Sequence, residues 1–283
     1  YVSQRPDPWS TVEHLPPGSL ALRPHLDPRS RLAGAAVSPE EIVITAGALE
    51  ALNLALQVVT APNDIVAIEA PAFYGCLQAI EGAGRRAVEI PTSPEHGIDL
   101  QALESTLKRV PVKACWFMTT FHNPLGATMP AASKERLVDL LATREIPLIE
   151  DNVYAELYFA KERPRITKVW DRKGLVLDCG SFAKSRAPGY RLGWIAGGRF
   201  AEAVRNRKIT TSLATSIPIQ AAISRYLDTG VFDRHLGRLR RTLARQQATL
   251  LSALERYFPD GCSWSRPAGG YQIWVQLPAG TNA

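Results

Sequence analysis

From Ser38 onward, short apolar runs alternate with amphipathic stretches. Ile42-Val43-Ile44, Ile65 to Ile68, Ala87 to Ile90, Ala114 to Met118, Pro147 to Ile149 and Leu175 to Leu177 read as strands. Between them, Leu49, Leu52, Leu56 and Val59 recur on one helical stripe, and Leu100 to Arg109 and Lys134 to Thr143 also read as helical. Ser38-Pro39-Glu40-Glu41 combines a capping serine, a proline at the first helical position and a glutamate at the third, so one short turn precedes the first strand. The alternation predicts a three-layer α/β/α domain around a mostly parallel sheet. Ligands of such sheets bind beyond the carboxyl ends of the strands, which directs attention to the loops that follow them.

The flanks differ. Tyr1 to Ala36 is rich in proline and arginine without a sustained apolar period, and residues 1–37 are read as a linker or arm. Beyond Arg199 the period lengthens into one helix up to Tyr226 and another from Phe232 to Tyr257. In the latter, Leu236, Leu239 and Leu243 form a stripe beside Arg238, Arg240, Arg241 and Arg245. Such arginines are expected to be a solvated face, with an RNA- or DNA-binding helix as the alternative. Ser263 to Arg266 and Tyr271 to Gln276 are strand-like and open a second domain. The expected division is an arm (1–37), a large domain (38–198), and connecting helices with the start of a smaller, partly missing C-terminal α+β domain (199–283).

Composition narrows the class rather than the function. With 283 residues, 46% of them hydrophobic, the chain can bury one large core or a main domain with a smaller one attached. No apolar run reaches the roughly 20 residues of a membrane helix, and the start has no signal-peptide pattern, so no membrane partner and a cytoplasmic location are expected. The four cysteines, Cys76, Cys115, Cys179 and Cys262, lack paired spacing; free, mostly buried thiols and no metal site are expected. A net charge of +6 suits an anionic ligand or a nucleic acid and decides neither.

Four local patterns, in fixed order, carry the chemistry. Ser181-Phe182-Ala183-Lys184-Ser185-Arg186-Ala187-Pro188-Gly189-Tyr190-Arg191-Leu192-Gly193-Trp194 places a lysine after a strand and before a proline-glycine turn and an arginine. Glu150-Asp151-Asn152-Val153-Tyr154 and Phe121-His122-Asn123-Pro124-Leu125-Gly126 each follow a strand. The fourth is in two parts, Thr45 to Leu52 around Gly47, and Glu69-Ala70-Pro71-Ala72-Phe73-Tyr74. Taken singly, these are a surface lysine, a helix cap, an Asn-Pro turn and an ordinary strand-to-helix turn. His122 alone is weak evidence of catalysis.

In combination they resemble the class I/II aminotransferases of the pyridoxal phosphate fold type I, over about Ser38 to Leu277 and including the Pro267-Ala268-Gly269-Gly270-Tyr271 turn and Trp274. The resemblance implies pyridoxal 5′-phosphate held as an aldimine on Lys184. It also implies that Asp151 pairs with the pyridine nitrogen, Tyr154 and Asn123 donate to the ring 3′-oxygen, and Phe73 stacks on the ring. Ser181, Arg191 and the backbone at Gly47, Ala48 and Leu49 would hold the phosphate, chemistry that a guanidinium fork, a hydroxyl and a helix N-terminus suit. The family often has a second serine before the lysine, where this chain has Ala183.

Phe232-Asp233-Arg234-His235-Leu236-Gly237-Arg238-Leu239-Arg240-Arg241 looks most like the aminotransferase-like half of MocR-type regulators of the GntR superfamily. These carry a winged helix-turn-helix domain that is not in this chain. The family also extends beyond Ala283, where the arginine for the substrate carboxylate lies, and has a helix and a glycine turn before Ser38 that Leu26 to Ala36 is too short to hold. The resemblance implies a homodimer and an amino-acid or amine ligand. A sensing domain of a transcription regulator is the favoured reading. A stand-alone aminotransferase, which exchanges an amino group with a 2-keto acid, and a lyase on the same fold share nearly every residue. A nucleotide-binding α/β protein is weakly supported, since Gly82-Ala83-Gly84 is its only glycine cluster.

Overall fold

The computed structural model describes residues 15–186 and 188–281; the first fourteen residues of the expected arm, Ala187 of the lysine motif and the last two residues lie outside it. In chain order the helices are α1 (Leu26–Arg31), α2 (Ala48–Val59), α3 (Tyr74–Gly82), α4 (Leu100–Arg109), α5 (Ala131–Thr143), α6 (Ala201–Thr211), α7 (Ile217–Asp228) and α8 (Val231–Tyr257). The strands are β1 (Ile42–Thr45), β2 (Ile65–Ala70), β3 (Arg86–Ser93), β4 (Gly97–Ile98), β5 (Val112–Phe117), β6 (Leu148–Asp151), β7 (Val176–Ser181), β8 (Gly193–Ala196), β9 (Ser263–Trp264) and β10 (Val275–Gln276).

Eight strands form one sheet in the order β1-β8-β7-β6-β5-β2-β3-β4. β7, β6, β5, β2 and β3 run parallel, while β8 is antiparallel to both β7 and β1. Successive side chains of a strand point to opposite faces, and each face is covered. Val43, Val66, Ile68, Trp116, Ile149, Leu177 and Cys179 pack with Leu52, Leu56 and Val204 of α2 and α6. Ala67, Cys115, Phe117, Leu148 and Val176 pack on the opposite side with Leu103, Leu137 and Leu141 of α4 and α5. This is the expected α/β/α sandwich, and its parallel order brings the carboxyl ends of β7, β6, β5 and β2 side by side.

Local signals explain several boundaries. Ser38 accepts a hydrogen bond from the Glu40 N–H in a single 3-10 turn over Pro39–Glu41, the turn expected there. Asp99 caps α4 by accepting from Gln101 and Ala102. The helix expected to run to Tyr226 is instead two, α6 and α7, separated at residues 212–216 where Leu213 has φ +58°. Pro218, in the first turn of α7, has no N–H to continue a preceding helix. Cys76, Cys115 and Cys179 are buried free thiols, and Cys262 is partly exposed. Among the described residues no helix is long and apolar enough to cross a membrane, and no His/Cys/Asp/Glu cluster could hold a metal.

The reading of residues 1–37 as an arm does not hold for residues 15–37. Leu22, Leu26, Ala33, Ala35 and Val37 are buried with Ile42, Ile44, Phe232 and Leu236. Polar ties reinforce this packing: Ile44 N donates to Pro17 O at 2.9 Å, and Arg29 Nε donates to Glu156 Oε1 at 2.7 Å with its guanidinium 4.3 Å from the Phe232 ring. The sequence pattern misses the segment because its two central leucines stand four apart among prolines and arginines rather than in a longer period. Leu26→Ala is expected to destabilise the protein by about 2–5 kcal/mol in urea unfolding, whereas an arm would tolerate it.

In α8, Leu236 is buried, with Leu239 and Leu243 packed against the same cluster. Arg238, Arg241 and Arg245 are solvated as expected, but Arg240 is not. Its guanidinium lies 3.7 Å from the centre of the Tyr158 ring, and its Nε donates to Glu156 O at 2.7 Å. β9 and β10 pair antiparallel, and the turn of residues 267–272 between them reaches back to the main sheet's loops.

Candidate active site

Four strand ends and one helix start converge. At the end of β6, Asp151 is 3% exposed and accepts from Val153 N at 3.2 Å. Burial pushes its carboxyl up to about 7; the nearby Glu69 and Asp178 carboxylates push the same way, and Lys184 opposes them. Tyr154, in the turn after β6, is 4% exposed. Lys184 follows β7 in an exposed turn, and its Nζ lies 5.5 Å from the centre of the Tyr154 ring. The expected lysine, aspartate and tyrosine are therefore neighbours, and the lysine's charge is felt by the acid.

After β5, Asn123 joins Pro124 through a cis peptide bond in a half-buried loop. The loop is held from below by a pair that sequence reasoning undervalued. Glu69, at the end of β2, accepts from Met118 N at 2.9 Å and stands 3.3 Å from His122 Nε2. His122 Nδ1 accepts from Leu125 N at 3.3 Å, which leaves the proton on the nitrogen that faces the buried carboxylate. This contact is electrostatic rather than an aligned hydrogen bond. Only the adjacency of His122 to Asn123 could have signalled its role. Phe73, three residues after β2, is half-buried at the start of α3 and packs against both the cluster under α2 and the cluster that holds the N-terminal segment.

The remaining residues form a cradle at the start of α2. Gly47 has φ +88°, in the left-handed region that favours glycine, and a Cβ there would lie 2.7 Å from an Arg191 guanidinium nitrogen. Ala48 and Leu49 open the helix, where backbone N–H groups lack helical acceptors. Leu49 is 46% exposed rather than part of the buried stripe, because the first turn faces the cradle and the sheet-facing positions start at Ala51. Gly193 closes the arrangement: a Cβ on it would meet Gly47 C at 2.6 Å and Ala48 N at 2.9 Å, a constraint the sequence pattern did not reveal. Ser181 is buried, and its hydroxyl donates to Leu192 O at 3.0 Å and accepts from Ala183 N at 3.0 Å. Its proton is therefore engaged within the chain.

The turn of residues 267–272 clasps these loops. Tyr271 donates to Lys184 O at 2.6 Å, and Gln272 Nε2 donates to Tyr154 Oη at 3.2 Å. Gly126, at φ +71°, packs so closely on Pro267 that a Cβ would lie 2.4 Å from Pro267 Cγ. Tyr271 stood in a matched motif without an assigned role, and Gln272 carried no signal at all.

The pyridoxal phosphate implied by the sequence resemblance fits these residues. A glycine cradle beside a guanidinium and a helix N-terminus suits a dianion. A buried carboxyl held near neutrality suits a partner that brings its own positive charge, as a protonated pyridine would.

Comparison with known proteins agrees with this geometry. A family model, aminotransferase class I and II, matches residues 25–282. Over 282 residues the chain is 47% identical to the uncharacterized HTH-type transcriptional regulator YdcR of Escherichia coli, covering 100% of this chain and 60% of that protein. It is 32% identical over 280 residues to aromatic-amino-acid aminotransferase 1 of Thermococcus litoralis, covering 97% of this chain and 66% of that protein. The chain thus spans about two-thirds or less of these relatives' lengths. The structure of Pyrococcus horikoshii kynurenine aminotransferase in complex with PMP, KYN and KYA superposes with a TM-score of 0.91 at 30% identity, covering 99% of this chain and 70% of that one. Sheet order, the placement of lysine and aspartate at adjacent strand ends, and a match over nearly all the chain lead to one assignment: this protein belongs to the aminotransferase class I and II family.

Proposed function

We propose that this chain is the pyridoxal 5′-phosphate-binding, aminotransferase-like domain of a MocR-type regulator, and that Lys184 holds the cofactor and exchanges it with an amino-acid or amine effector. The observation that carries the proposal is the placement of Lys184 Nζ 5.5 Å from the Tyr154 ring and within electrostatic reach of the buried Asp151. The 47% identity to a protein named as a transcriptional regulator, over the whole of this chain, supports the regulatory half of the reading. DNA would be contacted through a winged-helix domain outside this chain. By family likeness the working unit is a cytoplasmic homodimer.

When bound, the cofactor supplies an electron sink for a bond broken at the effector's α-carbon. Asp151 would hold a proton at the ring nitrogen, and Tyr154 and Asn123 would donate to the 3′-oxygen. Phe73 would stack on the ring. The backbone of Gly47, Ala48 and Leu49 and the Arg191 guanidinium hold the phosphate. Ser181 joins them only by giving up its bond to Leu192 O. The Lys184 amine would hold and move a proton at the effector's α-carbon.

These acid-base residues also support a second reading, a working aminotransferase, which the 32% identity to aromatic-amino-acid aminotransferase 1 favours. Titrating the loaded full-length protein with amino acids, with and without a 2-keto acid, separates the two. A spectral change with altered operator binding and no keto product is expected for the sensor. Steady release of a keto acid, with DNA binding unmoved, would overturn that reading in favour of the enzyme. The phosphate cradle makes its own prediction: Arg191→Ala weakens cofactor binding roughly 10- to 100-fold, the loss expected for charge-assisted hydrogen bonds, as read by fluorescence titration.

A further inference from the structure

The turn of residues 267–272 reaches the site through two side chains that none of the roles above uses. Gln272 Nε2 donates to Tyr154 Oη at 3.2 Å, while Gln272 Oε1 is buried without a partner. Tyr271 Oη donates to Lys184 O at 2.6 Å, and its ring meets that of Tyr154 edge-on at 5.8 Å. Burial and the neighbouring Tyr154 raise the Tyr271 phenol above its ordinary value, so it stays a neutral donor. Backbone bonds fix the turn itself: Gly270 N donates to Leu157 O at 3.0 Å and Phe159 N to Ala268 O at 2.8 Å.

A phenol oxygen that accepts a hydrogen bond becomes a stronger donor of its own proton, and that proton is free to point elsewhere. The amide orientation decides the matter. With Nε2 toward the phenol, Tyr154 keeps its proton for a third group on the Lys184 side; the reverse orientation would consume it. We propose that Gln272 is a positioning residue: it acts through Tyr154 to aim and strengthen the phenol's hydrogen bond to the cofactor's 3′-oxygen, while Tyr271 fixes the Lys184 backbone opposite. The inference rests on the proposed function, since it requires the cofactor on Lys184. The titratable groups facing the Tyr154 ring are Lys184 and Tyr271, with Asp151 at the adjoining strand end and Glu69 beyond it.

The consequence is spectroscopic. A donor on the 3′-oxygen competes with the proton on the nitrogen that links Lys184 to the cofactor. Weakening the donor lets that nitrogen keep its proton to higher pH. The test is a pH titration of the visible absorbance of the full chain loaded with pyridoxal phosphate, in wild type, Gln272→Leu, Tyr154→Phe and the double variant. Gln272→Leu should raise the midpoint by on the order of half a pH unit, the scale of one modest hydrogen bond. Tyr154→Phe should raise it further, and Gln272→Leu should add nothing in that background. Gln272→Met serves as a second variant if the leucine protein does not fold. An unmoved midpoint, or an equal shift with and without the Tyr154 hydroxyl, overturns the inference while the band itself upholds the cofactor assignment. Absence of any cofactor band in the wild type overturns both, and a band that does not titrate overturns the inference alone.

Discussion

Lys184→Ala abolishes the covalent link: borohydride treatment of the variant loaded with pyridoxal phosphate leaves no cofactor mass on the denatured protein, and any turnover falls by at least about 10²- to 10⁴-fold. The size follows from position rather than from the loss of one charge. Lys184 Nζ lies above Tyr154 and within reach of Asp151, and the Lys184 carbonyl is tied to Tyr271. The cradle of Gly47 and Arg191 is built on other strands and is untouched by the substitution. The variant should therefore still bind the cofactor without the covalent link, so equilibrium dialysis retains binding where reduction fixes nothing. Cofactor mass that borohydride still fixes to the variant would place the linking nitrogen on another residue.

Asp151→Asn has effects of opposite sign with and without the cofactor. Burial raises the Asp151 carboxyl from its ordinary 3.8 to about 7. Between those values the folded protein holds a proton that the unfolded chain has released. The contribution of this group to stability is therefore present at low pH, falls as pH rises through the window from about 4 to 7, and is flat above it. Asparagine keeps the shape and the bond from Val153 N without the buried charge. The cofactor-free variant should accordingly be more stable than the parent at pH 8, by up to about 4 kcal/mol, with the difference vanishing toward pH 4. With the cofactor bound the order reverses, because the ring nitrogen loses its anionic partner and ligand-induced stabilisation shrinks. Thermal melts of both proteins, with and without cofactor, at pH 4 and pH 8, read all of this. An identical pH dependence in parent and variant would show that Asp151 is not the group responsible.

Much of this site was legible because its residues sit where the sheet's own logic puts them. Asp151 and Ser181 close β6 and β7 and the Asn123 loop follows β5, strands the hydrophobic pattern marks, so locating strands located these candidate residues. Gly47 was readable for a similar reason, as a glycine between strand and helix. What stayed hidden depends on contacts distant in sequence. The Glu69 and His122 pair ties the end of β2 to the loop after the neighbouring β5, and Gln272 meets Tyr154 from 118 positions away. Strand β8, only four residues long, was hidden inside the lysine motif, where its glycine, Gly193, suggests a turn more than a strand. The N-terminal segment failed for a physical reason of its own. Its burial comes from a few spaced apolar residues and from Arg29 pairing with Glu156, and a paired buried arginine looks like a solvated one in sequence.

The central claim is a covalent bond at one nitrogen, and peptide mapping after borohydride reduction of the loaded protein tests it most directly. Reduction fixes the link, and a modified lysine blocks trypsin. The account predicts that the cofactor's mass appears on the peptide spanning residues 174–186, uncleaved at Lys184. The same mass on a peptide carrying a different lysine, or on none, would contradict it.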